Sequence, residues 1–383
     1  MNAGAAAESR EKKRKLRRIL TAGSLLVILA AIAISAGCVS RRMGALPEPE
    51  EYQAWERLPN FSGKTFQNLE PSPMNLKAIK KKSGMWRFLF QSVNAPRTFR
   101  IPQKPWSRDL FAGKDAGFSV YWLGHSSLIF ELDGIRFMTD PVFGNASPVP
   151  FTVRRYCDPP MKREDIPPLD FLIISHDHYD HLEYDTIRAV RHEKYPIVTP
   201  LGVGARLRGW GVAPERIREL NWNESVTLGD TKVTAVPSRH FSGRSLKDRN
   251  STLWASWVIE RNGKKIFFGG DSAYGKHFKT IGKTYGPFDL ACLEIDAWNE
   301  GWPHNHMFPH EFPVAAAELK AKLAMPIHWG VFDLAMHPWK ESITMVAAEA
   351  KKAELPLFTP MMGEKAFPGR TVTSEWWADL PER

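Results

Sequence analysis

A pattern that occurs twice is the feature that most limits how this chain folds. In the first copy, an apolar run at residues 127–132 leads to Asp133-Gly134, a second apolar run at 135–138 and then Asp140. Asp-Gly between two apolar runs predicts a β-hairpin, because both turn positions need a positive φ angle. The second copy has the same order, with runs at 257–260 and 265–268, the dipeptide Asn262-Gly263 and then Asp271. We therefore expect two similar sheet-forming halves.

Each hairpin is followed by a Pro-x-Asp segment and a short apolar run. These segments lie at 168–174 in the first half and at 287–293 in the second. Apolar runs of this length are typical of strands that are buried on both faces. Helical patterns follow at 183–192, 311–323 and 343–352. Two sheet-bearing halves with helices outside predict an α/β fold, a four-layer αββα sandwich, over residues 118–370.

The segment His176-Asp-His-Tyr-Asp-His181 directly follows the first buried run and precedes a helical pattern. His176 and His178 are two residues apart, so in an extended chain both point the same way and can hold one ion. Asp180 and His181 lie at the turn into the helix and can face a second ion. Imidazole and carboxylate ligands suit zinc, and manganese or iron also fit such a set. Histidines placed by chance in a polar loop would lack the strand and the helix on either side.

Further ligands are expected at other strand ends, where active sites in such sheets gather. His240, Asp271 and His328 each follow an apolar run, which predicts a ligand role for all three. Two ions about 3.5–4 Å apart would then share Asp271 and a hydroxide. Asp140 occupies the position in the first half that Asp271 occupies in the second, so we expect it to hold a ligand histidine from behind. Weaker candidates for a place beside the ions are His125 and His306.

The N-terminus combines a basic segment with an apolar one. Residues 1–18 hold seven basic and two acidic side chains, and residues 19–39 carry no charge. An apolar run of this length can span a bilayer as a helix, and its basic flank favours the cytoplasmic side. Residues 35–38 resemble the cleavage box of a bacterial lipoprotein, in which Cys38 is lipidated, so residues 1–40 are interpreted as a signal or membrane anchor. A lipoprotein signal, an uncleaved anchor and a cleaved secretory signal all place the rest of the chain outside the cytoplasm, in the bacterial cell envelope.

Residues 41–117 are rich in proline and mixed charges, which predicts a linker and an N-terminal arm wrapped on the main domain. Within this segment, residues 77–90 combine lysines and an arginine with aromatic side chains. That combination fits contact with an anionic membrane surface. It also fits a solvated helix edge beside a packed apolar run, which is the interpretation that we favour.

Composition excludes several classes of protein. The formal net charge is +10, and about half of it lies in the first 18 residues, so the remainder is too mild to indicate nucleic-acid binding. Three cysteines exclude a disulfide-rich scaffold. The hydrophobic fraction of 43% and the charged fraction of 25% are ordinary for a globular domain.

With this motif and these further candidate ligands, the chain resembles the metallo-β-lactamase fold family. Within that family it is similar to the N-acylphosphatidylethanolamine-hydrolysing phospholipases D and their bacterial relatives. The resemblance covers roughly residues 118–365. It is carried, beyond the histidine motif, by segments at 122–126, 137–141, 240–246, 253–257, 286–290 and 327–330. The chain differs from the animal enzymes at its N-terminus and over residues 298–309, so the acyl and headgroup preference is not implied.

The resemblance implies a ligand set and two catalytic residues. One zinc ion would be held by His176, His178 and His240, and the other by Asp180, His181 and His328. Asp271 would bridge the two ions, and His306 would lie near the leaving group or the phosphate. The catalytic roles would thus fall to Asp271 and His306, with His125 and Asp140 behind the ligands.

The implied reaction is hydrolysis of N-acylphosphatidylethanolamine-type phospholipids to phosphatidic acid and N-acylethanolamine. The implied cofactors are two Zn²⁺ ions, with Mn²⁺ or Fe²⁺ as alternatives, and the implied partners are a phospholipid and the membrane. The sequence leaves open whether the chain forms a homo-oligomer.

Two other functions compete with this one. The first is a dizinc lactonase, or another hydrolase of a small phosphorylated substrate, which would need a polar pocket with several Arg or Lys side chains. The second is an envelope protein with a structural or regulatory role, against which the complete set of seven ligands argues. A lipid substrate needs a wide apolar groove. Trp298, Trp302, Trp329 and Trp339 favour such a groove, although core packing would also explain these aromatic side chains.

Overall fold

The computed structural model describes residues 37–75, 99–149, 152–335 and 337–382. The chain divides into two compact units, residues 1–43 and 44–383. In the first unit, residues 37–43 are helical. None of the helices within the described ranges is long and apolar enough to cross a membrane. The predicted membrane segment at 19–39 lies, except for its last three residues, outside the described residues, as does the basic and aromatic stretch at 77–90.

The second unit begins with the predicted arm. It contains helix α1 (Pro49–Trp55) and a short hairpin of β1 (Phe61–Ser62) and β2 (Thr65–Phe66). Trp55, Phe61 and Phe66 are all buried in the main hydrophobic core. This described part of the arm therefore packs against the domain that follows it.

The first sheet of the domain has seven strands. They are β3 (Phe118–Trp122), β4 (Leu128–Leu132), β5 (Ile135–Thr139), β6 (Phe171–Ile173), β7 (Ile197–Pro200), β8 (Ile217–Leu220) and the C-terminal β15 (Lys365–Ala366). Their order across the sheet is β15-β3-β4-β5-β6-β7-β8. Strands β5 to β8 are parallel, and the others are antiparallel to their neighbours.

The second sheet has six strands. They are β9 (Ser225–Leu228), β10 (Thr231–Val236), β11 (Ser256–Arg261), β12 (Lys264–Phe268), β13 (Leu290–Glu294) and β14 (Ala324–Ile327). Their order is β14-β13-β12-β11-β10-β9, and β12, β13 and β14 are parallel. The remaining helices are α2 (Tyr184–Val190), α3 (Val203–Gly209), α4 (His277–Thr284), α5 (Phe312–Glu318) and α6 (Glu341–Lys352), with 3₁₀ turns at Arg108–Phe111, Arg163–Asp165 and Pro214–Arg216.

The burial pattern of β4 explains the layers. Successive side chains of a strand point to opposite faces. Phe130 therefore belongs to the large core that also contains Phe267 of the second sheet, whereas its neighbour Ile129 packs in a separate cluster with Ile187 of α2 and Leu207 of α3. One face of the first sheet thus meets the second sheet and the other face meets helices, which confirms the predicted α/β layering.

The repeated sequence pattern corresponds to a repeated structure. Both predicted hairpins form, and the turn residues Asp133 and Asn262 each have a φ of 47°. In the first half the Asp170 carboxylate accepts a hydrogen bond from the Arg136 amide at 2.7 Å. The equivalent Asp289 accepts from the Lys265 amide at 2.8 Å. The aspartate of each Pro-x-Asp segment therefore links the strand that follows it, β6 or β13, to the hairpin of the same half.

We predict that Gly282→Ala destabilises the domain. Gly282 lies in α4 where this helix meets the end of α5, and a Cβ atom there would collide with the backbone carbonyl of Glu318. Overpacking of this kind costs about 1–3 kcal/mol in free energy of unfolding. The matched control is Gly113→Ala, because a Cβ at Gly113 meets no atom within 4 Å. Thermal unfolding checks both variants, and equal melting temperatures would contradict this account of the helix contact.

Candidate metal centre

The predicted site residues meet at one edge of the two sheets, because the parallel strands of both halves end there. The histidine motif follows β6, Asp271 follows β12 and His328 follows β14. His240 follows β10, and His125 lies in the turn between β3 and β4. The carboxyl ends of parallel strands are where α/β sheets place their ligands.

Three imidazole nitrogens converge in the first group of side chains. His178 Nδ1 lies 2.8 Å from His176 Nε2 and 3.2 Å from His240 Nε2. The other ring nitrogen of His240, Nδ1, is 2.8 Å from the carbonyl oxygen of Asn305. Because a carbonyl can only accept, Nδ1 of His240 carries the proton and Nε2 presents a lone pair to the group.

The second group contains a carboxylate and three imidazoles. Asp180 Oδ2 lies 3.0 Å from His125 Nε2 and 3.4 Å from both His181 Nε2 and His328 Nε2. The ligand atoms of these four residues all lie within 4.8 Å of one another, which is compact enough for one ion. His125, a weaker candidate from sequence, is thus in direct contact with Asp180.

Asp271 lies between the two groups. Its Oδ1 is 3.1 Å from His181 Nε2 and its Oδ2 is 3.1 Å from His328 Nε2. Its Oδ2 also lies 3.8 Å from His176 Nε2 and 3.5 Å from His240 Nε2. One buried carboxylate therefore faces both sets of histidines.

The chemistry of these donors fits divalent metal ions. His181 Nε2 and Asp271 Oδ1 are buried and only 3.1 Å apart, yet neither has a hydrogen-bond partner among the described residues. Nitrogen and oxygen atoms that lie this close together without a hydrogen bond between them are arranged like the ligands of a shared cation. The mixed imidazole and carboxylate set suits zinc, manganese or iron.

The ionisation of the groups is consistent with this arrangement. Burial lowers the pKa of His178 to about 4, so its imidazole is neutral and offers a lone pair. Burial also disfavours a charge on His328, but the carboxylates of Asp271 and Asp180 outweigh it and raise the pKa of His328 to about 10. Conversely, burial would raise the pKa of Asp271, but His181 and His328 hold it well below its ordinary value. The same carboxylates that stabilise a proton on His328 would also attract a metal cation at that place.

Asp140 supports the second group from behind, in the position predicted for it. Its Oδ2 lies 2.7 Å from His181 Nδ1 and accepts a hydrogen bond from Ser175 Oγ at 2.6 Å. Its Oδ1 accepts from the Ser175 amide at 2.7 Å. A carboxylate on Nδ1 fixes the ring so that Nε2 of His181 faces Asp271.

Three site residues have a backbone conformation that is rare for side chains other than glycine. The φ angles are 53° at His125, 38° at Asp140 and 68° at His328. The His328 amide also donates a hydrogen bond to the His125 carbonyl at 3.0 Å. Each such conformation costs about 1–3 kcal/mol and persists only where the surroundings impose it. Sequence gives no signal for these angles.

A buried ionic network holds the histidine motif, and its two arginines were not predicted from the sequence. Arg206 of α3 donates to Asp177 Oδ2 at 3.1 Å and to Asp248 Oδ2 at 2.6 Å. Arg244 donates to the carbonyls of Asp177 and Leu182 at 2.6 and 2.9 Å. The network braces both ends of the motif. Removing one partner of such a buried pair costs about 3–5 kcal/mol.

Two further supporting residues were also missed. Asn68 of the arm donates from Nδ2 to the His240 carbonyl at 2.7 Å and accepts at Oδ1 from the His240 amide at 3.1 Å. Glu294, at the end of β13, lies 3.6 Å from His306 Nδ1 through its buried Oε2. His306 itself lies near Asp271 and His328, with ligand atoms within 4.8 Å. Asn68 lies far from His240 in sequence, so no local pattern indicates their contact.

A cavity of about 440 Å³ opens onto the centre. At its inner end it is lined by His178, Asp180, Asp271 and His306. Its other described lining is mainly apolar and consists of Met74, Ala146, Ser147, Pro148, Val153, Tyr179, Phe241, Arg249, Ala297, Trp302, Asn305 and Leu334.

Only part of the aromatic cluster expected to form a groove reaches this cavity. Trp302 lines it. Trp329 and Trp339 are instead buried in the core, and Trp329 packs against Trp376 at 5.4 Å between ring centroids. Trp298 stacks on His337 at 4.0 Å. For these three tryptophans the interpretation as groove residues was wrong, and packing explains them.

Comparison with known proteins agrees with this geometry. Residues 135–329 match the family model described as the beta-lactamase superfamily domain. An uncharacterized protein of Mycobacterium tuberculosis is 38% identical over 330 residues, which cover 84% of this chain and 88% of that protein.

A second relative has a named activity. The N-acyl-phosphatidylethanolamine-hydrolyzing phospholipase D 1 of Caenorhabditis elegans is 36% identical over 234 residues, which cover 57% of this chain and 66% of that protein. Among solved structures, the isothiocyanate hydrolase from Delia radicum gut bacteria aligns with a TM-score of 0.53 at 19% identity. The alignment covers 65% of this chain and 99% of that one, and at this identity it concerns the fold.

We predict that Asp140→Asn weakens metal binding without abolishing it. The substitution keeps the shape but removes the charge that orients His181, and loss of such a partner typically lowers metal affinity about 10–100-fold. Titration against a competing chelator measures the effect. Asp230→Asn is the control, because the Asp230 side chain is 86% exposed. Unchanged affinity in Asp140→Asn would show that Asp140 does not position a ligand.

Proposed function

The chain belongs to the beta-lactamase superfamily, and from this premise we propose that it is a metal-dependent phosphodiesterase. Its substrates are phospholipids of the N-acylphosphatidylethanolamine type, and its products are phosphatidic acid and an N-acylethanolamine. The hydrolase assignment is supported by the family and by the relative in Caenorhabditis elegans. The phospholipid assignment rests on that relative's name and on the cavity described above.

The residues of the centre would hold two divalent ions, zinc in the first instance. His176, His178 and His240 would hold one, Asp180, His181 and His328 the other, and Asp271 both. When bound, such a pair supplies a nucleophile from water at neutral pH and neutralises charge on the oxygens of a phosphodiester. The protein's own contribution is to fix the ligand rings, through Asp140, the Asn305 carbonyl and the Arg206 network.

The lining of the cavity is the observation that carries the lipid assignment. Its inner end is polar and meets the centre, whereas its walls include Met74, Val153, Trp302 and Leu334. A phosphodiester at the inner end would leave its acyl chains against these walls. A small phosphorylated substrate would need several cationic side chains, and the described lining contains one arginine and no lysine.

We propose that His306 acts on the leaving group. It lines the cavity beside Asp271, and its Nδ1 lies 3.6 Å from Glu294 Oε2. Because Nδ1 lies on the side of Glu294, Nε2 is the atom that we assign to an oxygen of the substrate. We assign to it a hydrogen bond to the headgroup oxygen as the bond to phosphorus breaks.

The proposal includes the location inferred from the N-terminus. Residues 19–39 would hold the domain at the outer side of the inner membrane, close to its substrate. A C-terminal reporter that works only outside the cytoplasm should be active. Activity of a reporter restricted to the cytoplasm would exclude this location. Cys38→Ser should block maturation if the segment is a lipoprotein signal, and unchanged mobility and fractionation would indicate an uncleaved anchor.

We predict which product takes up oxygen from water. Metal-loaded protein is incubated in ¹⁸O-labelled water with N-acylphosphatidylethanolamine vesicles, and the products are analysed by mass spectrometry. Attack on phosphorus with loss of the headgroup oxygen puts the label into phosphatidic acid. Asp271→Ala, which removes the carboxylate common to both groups, serves as the inactive control.

Two results would contradict this proposal. Label in the released amide alcohol would mean that a different bond is broken. Hydrolysis of lactones together with no hydrolysis of any phosphodiester would favour the competing small-substrate function.

A further inference from the structure

The cavity contains a side chain that the proposed reaction does not use, Arg249. It is the one arginine or lysine among the described residues that line the cavity. Its guanidinium carbon lies 4.3 Å from the ring centroid of Phe241. The Phe241 ring contacts His178 and His240, at 4.5 and 4.7 Å between ring centroids. The guanidinium therefore packs against the Phe241 ring, which in turn packs against two histidines of the first group.

The backbone that carries Arg249 is fixed on both sides. Before it, Asp248 Oδ1 accepts a hydrogen bond from the Arg244 amide at 3.0 Å. After it, the Asn250 amide donates to the Ser242 carbonyl at 3.0 Å. The backbone at Arg249 is thus fixed, so a ligand that binds the exposed Arg249 side chain does not have to order a loop.

The charge of Arg249 has no counter-ion among the described residues. No carboxylate of the described part of the chain forms an ion pair with it. The two carboxylates that line the same cavity, Asp180 and Asp271, face the histidines. Desolvation lowers the pKa of Arg249, as expected where an uncompensated cation lies against an aromatic wall. An anion supplied by a ligand would form a charge-assisted hydrogen bond at this place.

We infer that Arg249 determines substrate specificity by favouring headgroups that carry a second anionic group, a carboxylate or a phosphate, over the neutral N-acylethanolamine headgroup. This inference rests on the proposed function, since it requires that the phosphodiester of the substrate binds at the metal centre. The phosphodiester is then one aromatic ring away from the guanidinium. The group that meets Arg249 is carried a few bonds beyond the phosphorus atom.

Binding of two small probes to the metal-loaded full chain tests this inference. O-phosphoserine and O-phosphoethanolamine differ only by a carboxylate, and calorimetry gives both dissociation constants without any turnover. We expect the wild type to bind O-phosphoserine about 10–100-fold more tightly, the range that a hydrogen bond between charged groups provides. In Arg249→Gln the two constants should fall within about two-fold of each other on the same grounds. Lys247→Gln is the matched control, because Lys247 is an exposed cation of the same loop that does not line the cavity, and it should keep the preference.

The outcomes separate this inference from the proposed function. A preference that survives Arg249→Gln overturns the inference, and so does a wild type that binds both probes equally or neither. Equal metal content and melting temperature in the three proteins exclude damage to the centre as the cause of a change. Formation of phosphatidic acid without any preference for O-phosphoserine keeps the phospholipase function and removes the role of Arg249. A preference that depends on Arg249, with no lipid hydrolysed, keeps the anion site and removes the phospholipase function.

Discussion

The buried carboxylate of Asp271 is the interaction on which the rest of the centre depends. It lies 3.1 Å from an imidazole of each half, His181 after β6 and His328 after β14. A buried anion is costly unless cations and hydrogen bonds surround it. Packing the two sheets face to face brings their parallel strand ends to one edge, and this is what places six histidine and carboxylate groups around Asp271.

Around this carboxylate, a further set of contacts decides which atom each ligand presents. Nδ1 of His181 faces Asp140, and Nδ1 of His240 faces the Asn305 carbonyl. Arg206 and Arg244 hold the backbone of the motif through Asp177. A ring held in this way needs little rearrangement when an ion binds, which is the usual purpose of such contacts in metal sites.

The sequence was most informative where the signal is local. The hairpins around Asp133 and Asn262, the buried strands and the spacing of His176, His178 and His181 are all local patterns. The structure has them where they were predicted. The supporting residues are remote from their partners in sequence. Asn68 bonds to His240 across 172 residues, and no local pattern indicates such a contact.

The aromatic side chains show the same limit. A tryptophan beside a predicted ligand can face a cavity or the core, and the choice depends on segments that pack on it from elsewhere in the chain. Trp329 turns into the core because Trp376 and Trp377 of the C-terminal segment cover it. Trp302 instead lines the cavity.

Metal analysis of protein purified without chelators tests whether Asp271 organises a site for two metal ions. We expect about two divalent transition-metal ions per chain, about 3.5–4 Å apart by X-ray absorption, as in other bridged sites. Asp271→Ala should lower the affinity for both ions, whereas His178→Ala should remove mainly one ion. One ion or none in the wild type, or loss of a single ion in Asp271→Ala, would contradict this expectation.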